Sequence, residues 1–387
     1  VALGQAALGG QTTGTNNTAL GNTAGYTNTA SSYNTFIGNA AGYNANGTGA
    51  TQLVYVGHNS GHLTTTATIN TAVGNQTLYS NTTGSTNSAF GFNALQATTT
   101  GAENTAVGAY ALDACTTGTN NVAVGRHALG AMTAPSNNTA IGDAALYTLT
   151  SGANNTAIGK ASSFSLTTAN NNVSVGHLAL EVATTGSQNT AVGQNAGNSI
   201  TDGGHNVLLG YFAGEAITTG DYNIIMGVDC DPSDADGQNQ IVIGTANIIG
   251  KGNATGFISP SGGGVYQGNN SSSWSTTSDR RIKKNIEDNS IGLDAINQVR
   301  VRSFEYRTAD EIDELPSQSA IDKHGTQVGV IAQEIQEIFP DVVSEESTGC
   351  LSVNPDNMTW YLVNAVKELS MKNDALEARL KALETAE

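Results

Sequence analysis

A glycine that returns every 17 residues constrains this chain more than any other feature. It stands at Gly4, Gly21, Gly38, Gly57, Gly74, Gly91, Gly108, Gly125, Gly142, Gly159, Gly176, Gly193, Gly210, Gly227 and Gly244, and of the fourteen intervals thirteen are 17 residues and one is 19. A fixed period of this size marks a repeat architecture, in which each unit buries its apolar side only against its neighbours.

Each repeat has the form NTAVG. Asn stands four places before the glycine in twelve of the fourteen copies that include that position, as at Asn17, Asn104 and Asn189. The place before the glycine is always apolar (Leu20, Ile37, Phe90, Ile141, Val192, Met226), and a small residue dominates three places after it (Ala24, Ala94, Ala128, Ala196). Turn pairs such as Thr117-Gly118 and Thr185-Gly186 close the unit. A short alternating apolar run bounded by glycine predicts a strand too brief to be a helix. Identical strands at identical spacing stack as successive coils, with ladders of equivalent asparagines. At ~4.8 Å per coil, fifteen coils predict a rod of about 70 Å. On this reading one 17-residue coil turns a single large side chain and a few small ones inward, so three chains are expected to share the core.

The repeats resemble the NxAIG-type head repeats of trimeric autotransporter adhesins over residues 1 to about 250, with a longer period than the adhesin unit. The fold expected from the repeat is therefore a mainly β shaft over 1–249. It is either a β-solenoid or β-roll, or an intertwined trimeric β-prism. Residues 250–277 lose the period, become Gly/Ser/Asn-rich and are expected to be a neck.

From Ser278 the composition changes. Residues 1–250 hold two basic residues, Arg126 and Lys160, and 11 acidic ones; the remaining 137 hold 13 Lys/Arg and 21 Asp/Glu. A shaft so poor in cations cannot neutralise phosphates, which argues against nucleic acid and anionic membrane as partners. Leu293, Ile296 and Val299 recur at helical spacing, Ser303 to Tyr306 alternates like a strand, and Val328 to Ala332 leads into a helix that Pro340 stops. Asn354 before Pro355 predicts an N-cap and a helix running almost to the end. Its heptad pairs, Thr359/Leu362, Val366/Leu369, Asn373/Leu376 and Leu380/Leu383, predict a coiled coil over 355–385 in which Asn373 fixes register. The plainer alternative is one amphipathic helix packed on its own domain.

The segments SDRRIKKNIEDNSIGLDAINQVRVRSFEY and VGVIAQEIQEIFPDVV, with the terminal helix, resemble the C-terminal intramolecular chaperone of phage tail fibres and endosialidases, a self-cleaving serine peptidase family. The resemblance implies an α+β chaperone domain over 278–387, a homotrimer and a single-turnover cut by a Ser278–Lys283 dyad at the Ser278–Asp279 bond. It also implies a virion tail fibre for host attachment, acting outside the cell. Its partners would be a host surface receptor, possibly a glycan, and other tail or baseplate proteins bound through a region before Val1, where the chain looks like a fragment of something longer. Lysine accepts a proton near neutral pH only when desolvated or crowded by cations, and Arg280, Arg281 and Lys284 lie close in sequence. A bacterial adhesin or injection-machine fibre using the same chaperone is the rival expectation, to be separated by upstream sequence.

Asp229, Asp231, Asp234 and Asp236 form an oxygen-rich turn without the distal Glu of a calcium loop. His58 and His62, beside the two-residue insertion, have no third metal ligand in view. A polysaccharide depolymerase needs two carboxylates ~5–9.5 Å apart. Asp113, Glu181 and Glu215 share a column four and two coils apart, roughly 19 and 10 Å, and no aromatic platform is evident. No cofactor or metal is expected, and the three cysteines, Cys115, Cys230 and Cys350, read as free thiols.

Overall fold

The computed structural model describes all residues except 47–48, 135, 262, 269–274, 277, 313–320, 322, 347–348 and 386–387. The chain divides into two compact units, Val1–Ser278 and Asp279–Glu387.

The first unit is a β-solenoid. Each coil contributes one short strand that ends at the residue before the repeat glycine, from Ala2–Leu3 and Thr18–Leu20 onward, and only the last two, Ile224–Val228 and Ile241–Ala246, run past it. Consecutive strands pair in parallel at the repeat offset, so that Thr105, Ala106 and Val107 lie beside Val122, Ala123 and Val124. The 19-residue interval leaves this register intact, with Thr35, Phe36 and Ile37 beside Val54, Tyr55 and Val56; the two extra residues are taken up outside the strands. Pairing between successive coils of one chain makes this a solenoid and not an intertwined prism. The repeat glycine is forced by close stacking. At Gly91 φ is 132°, and a Cβ would lie 2.6 Å from the carbonyl oxygen of Gly108 in the next coil.

The interior departs from expectation. The apolar residue before the glycine faces out, as at Phe90 and Ile141, while the central residue of the strand, usually Ala, faces in. Two columns supply the missing volume: Leu78, Leu95, Leu112, Leu129 and Leu146, each four places after the glycine, and Cys115, Met132, Leu149 and Leu166, seven places after it. All are fully buried within the single chain. The expectation that three chains must share one core is therefore corrected. Left-handed backbone just after the glycine turns the leucine inward, with φ of 52° at Leu95 and 53° at Leu112, and no periodicity count shows that turn.

Where the strand centre is large, the leucine column becomes glycine. Phe36 is matched by Gly25 and Gly42, Tyr55 by Gly61, and Leu208 by Gly197 and Gly214. The coil around Ser174 is polar inside: Ser162 and Ser163 are each hydrogen-bonded to Ser174, at 2.7 and 2.8 Å, and all three are buried.

The asparagine ladder forms as the repeat predicts. Asn155 donates its backbone N–H to Asn138 Oδ1 (3.0 Å) and its side-chain amide to the Ala169 carbonyl (2.9 Å), and its own Oδ1 accepts from the Asn172 backbone (3.0 Å). Leu53 and Gln240 take this place in two coils and keep the backbone half of the bond, to Asn34 and Asn223. A threonine ladder runs along another edge, the Thr82, Thr99 and Thr116 hydroxyls each donating to the carbonyl of the threonine one coil on. Aromatic columns also occur, contrary to the sequence reading: Tyr26, Tyr43, His62 and Tyr79 stack in series with ring centroids 5.1–5.3 Å apart. Their inner faces are spent on one another, so the column braces successive coils.

The segment expected as a neck continues the sheet. Gly256–Ser261 pairs in parallel with Ile241–Ala246, and Gly263–Gln267 returns antiparallel and pairs in turn with Ser275–Thr276. The rest of that segment lies outside the described residues.

The second unit is α+β. A short helix α1 (Leu293–Ile296) precedes strand Arg302–Phe304, which pairs antiparallel with Gln327–Gly329. Helix α2 (Ala332–Ile338) ends before Pro340 as the sequence requires, and hairpin strands Val343–Glu345 and Leu351–Val353 lead into the 30-residue helix α3 (Pro355–Glu384). Ile335, Phe339, Val342 and Tyr361 form the core, with Ile296 and Val299 packed against it.

Candidate cleavage and assembly site

Ser278 is exposed and immediately precedes Asp279, the N-cap of a single 3-10 turn, Arg280–Ile282. Lys283 follows that turn, its backbone N–H donating to the Arg280 carbonyl at 3.1 Å, and its side chain is exposed in the single chain. Asp279 accepts from the Arg281 backbone N–H (2.7 Å) and guanidinium (2.6 Å), which holds its carboxyl below the usual range. Arg281 thus spends its charge on Asp279. The division between the two compact units falls at the Ser278–Asp279 bond, so that bond lies outside every helix and strand.

Helix α3 has two faces. Asn354 caps it by accepting from the Asp356 N–H at 3.0 Å, as the Asn-Pro pair predicts. One face docks onto the unit's own core: Tyr361 and Ala365 are buried, Tyr361 stacks on Phe339 at 5.1 Å, and its hydroxyl donates to Asp341 at 2.5 Å. Asn364 donates to the Asn289 and Ile291 carbonyls, and Glu368 accepts from the Leu293 N–H. The other face carries Leu362, Val366, Leu369, Leu376, Leu380 and Leu383, each at least half exposed. The heptad stripe and the docking stripe are therefore different sets of residues on one helix. Asn373, on the open stripe, donates to Glu377 at 2.9 Å.

The sequence reading missed the docking contacts. A stripe at 358, 361 and 365 runs at helical spacing beside the heptad positions and could have revealed them. It also missed the forked pair of Arg302 with Glu334, at 2.5 and 3.1 Å, which ties the first strand of the unit to α2.

The weaker candidates separate. Asp229, Asp231, Asp234 and Asp236 are not gathered into a metal-holding group, and none exists among the described residues. Asp231 is instead tied to the chain by accepting from the Ala216 N–H at 2.8 Å. Burial, with Asp229 and Glu215 nearby, pushes its carboxyl up. His62 belongs to the aromatic column, and His58 lies 3.4 Å from Asn75. Asp113 is partly buried, which raises its carboxyl. Cys115 and Cys230 are free and buried, and burial pushes the Cys115 thiol up to about 11.

No solved structure matches the chain. Residues 278–344 match the family described as chaperone of endosialidase, a span that begins at the serine of the candidate dyad and ends in the first strand of the hairpin before α3. The segment similar to a chaperone of endosialidase follows a β-solenoid of about fifteen coils, an arrangement that fits a tail fibre with a C-terminal chaperone domain.

Proposed function

We propose that this chain is the distal part of a homotrimeric virion tail fibre that attaches to a host cell, and that its C-terminal unit gathers three chains and then cuts itself away. The observation that carries the reading is the family match placed directly after a shaft of near-identical coils. Strands that all read alike make a one-coil slip nearly free of cost, so register has to be fixed from outside the repeat. The open leucine stripe of α3 suits that task, because parallel self-association there aligns the chains at one end.

In this reading Ser278 is the nucleophile and Lys283 its base, and assembly supplies the burial that Lys283 lacks in the single chain. Cleavage then reports a completed trimer and makes folding hard to reverse. The test is native mass analysis of the purified oligomer, wild type against Ser278→Ala. A trimer of shortened chains in the wild type and of full-length chains in the variant is expected. A monomer, or cutting that persists without the hydroxyl, overturns the proposal. Host attachment is tested separately, by binding of the purified shaft to candidate host cells.

A further inference from the structure

One exposed row of the solenoid has no task inside the chain. Twelve places after the repeat glycine stand Asn137, Asn154, Asn171, Gln188, His205 and Tyr222, in six successive coils. Each is exposed and holds left-handed backbone, with φ between 58° and 62°. The backbone N–H of each donates to a carbonyl of the coil before it at 3.0–3.4 Å. The six side chains are thereby carried on rigid backbone at ~4.8 Å per coil, over about 24 Å. Among the described residues, none of the four side-chain amides has a hydrogen-bond partner. The rings of His205 and Tyr222 stack with centroids 4.5 Å apart, and Tyr222, at the end of the row, is still 55% exposed.

Left-handed backbone alone does not account for the amides. Asparagine tolerates that conformation better than most residues, yet in this solenoid Leu95, Tyr110 and Ala144 hold it as well. The same place in other coils carries Tyr33, Ile69 and Glu103. Over these six coils the row is amides and rings, with no acid, lysine or arginine.

We infer that this row binds a neutral, extended glycan lying along the shaft, one sugar unit to each coil. The inference rests on the host-attachment reading and names the chemistry of the receptor. An amide offers two donors and an acceptor, and the hydroxyls of a sugar take either role. The exposed ring at the end of the row suits the apolar face of a sugar. Spacing discriminates between polymers: an extended peptide advances ~3.3 Å per residue and falls out of step with the coils, whereas a hexose in an extended chain is about as long as one coil is deep. Charge discriminates further. Residues 1–250 hold 2 basic residues against 11 acidic ones, which repels nucleic acid and acidic glycans and leaves a neutral polymer as the partner. One amide contact is weak, and the repeat sums such contacts along a single polymer.

The test uses the full chain on an array of linear bacterial polysaccharides, neutral and acidic, followed by fragments of the best neutral binder. Wild type is compared with Asn154→Ala/Asn171→Ala, whose alanines stand on backbone that Ala144 already adopts, and with Tyr222→Ala. Melting temperature and native mass check that the variants fold as the wild type does. Binding to a neutral polysaccharide is expected, with a loss of at least about tenfold in each variant. On the wild type itself, affinity is expected to rise with fragment length up to about six sugars. A preference for acidic glycans, an affinity indifferent to fragment length, or folded variants that bind as the wild type does overturns the inference. Absence of binding to every polysaccharide on the array overturns it too. Attachment of the same samples to host cells then shows whether the attachment reading stands without it.

Discussion

A Cδ of Leu208 lies 2.5 Å from the place a Cβ on Gly197 would occupy, and its other Cδ lies 2.6 Å from that of Gly214. One leucine on the strand therefore fills the space that two leucines after the glycines fill elsewhere, as Leu129 and Leu146 do beside Ala123 and Ala140. The coil has two solutions to one volume, and they are mutually exclusive.

That exclusion is testable by exchange. Leu208→Ala is expected to cost about 2–5 kcal/mol through the cavity it leaves, and Gly197→Leu alone about 1–3 kcal/mol through overpacking. Combined, they restore one of the two leucines of the alanine-and-leucine coil, and Leu180 holds the same left-handed backbone at φ 53°. The double variant is expected to recover part of the loss in thermal unfolding, and Gly214→Leu added to it to recover more; additive losses would count against the packing account.

Asn155→Ala removes one acceptor and one donor from the ladder and leaves the Asn172 backbone N–H without its buried partner. A loss of about 1–3 kcal/mol is expected. Asn137→Ala, on an exposed neighbouring position, serves as the comparison and is expected to cost less. Chemical denaturation of the two variants side by side measures the difference.

The Tyr361 hydroxyl holds the Asp341 carboxyl below its usual range. A carboxyl lowered on folding contributes stability above its unfolded value and loses it as pH falls through its folded one. Tyr361→Phe is expected to cost about 0.5–1 kcal/mol at pH 7, since Asp341 is exposed and solvent screens the bond. The cost should fade as the pH is lowered past the carboxyl range, as read from melting of the C-terminal unit at a series of pH values.

Asp231 has the opposite sign. Its carboxyl is raised, so the unfolded chain ionises first and the charge weighs against the folded state once the pH exceeds the unfolded value. Asp231→Asn keeps an acceptor for the Ala216 N–H and removes the repulsion with Asp229 and Glu215. A higher melting temperature at pH 7, with the gain disappearing in acid, is the expected outcome of calorimetry.

Asn373 sits in the open stripe of α3 between Leu369 and Leu376. If copies associate there, Asn373→Leu strengthens the association and blurs its register and number, whereas Leu369→Lys with Leu376→Lys abolishes it. Native mass spectra of the two variants distinguish these effects.

Much of this was legible in the residues alone. The 17-residue glycine period determined the coil length, the strand position and the asparagine ladder, because a parallel stack repeats each local interaction at a fixed offset. Asn354-Pro355 and Pro340 determined where α3 begins and α2 ends, because capping and the missing proline N–H act over a single turn. What faces inward was decided only by the tertiary structure. Inside and outside on the strand differ by one residue, and the turn of left-handed backbone that carries Leu95 into the core has no signature in spacing. The same holds for α3, where Tyr361 and Leu362 are chain neighbours and equally apolar in the sequence. Only the position of Phe339 and Asp341 beneath the helix buries the first and leaves the second open.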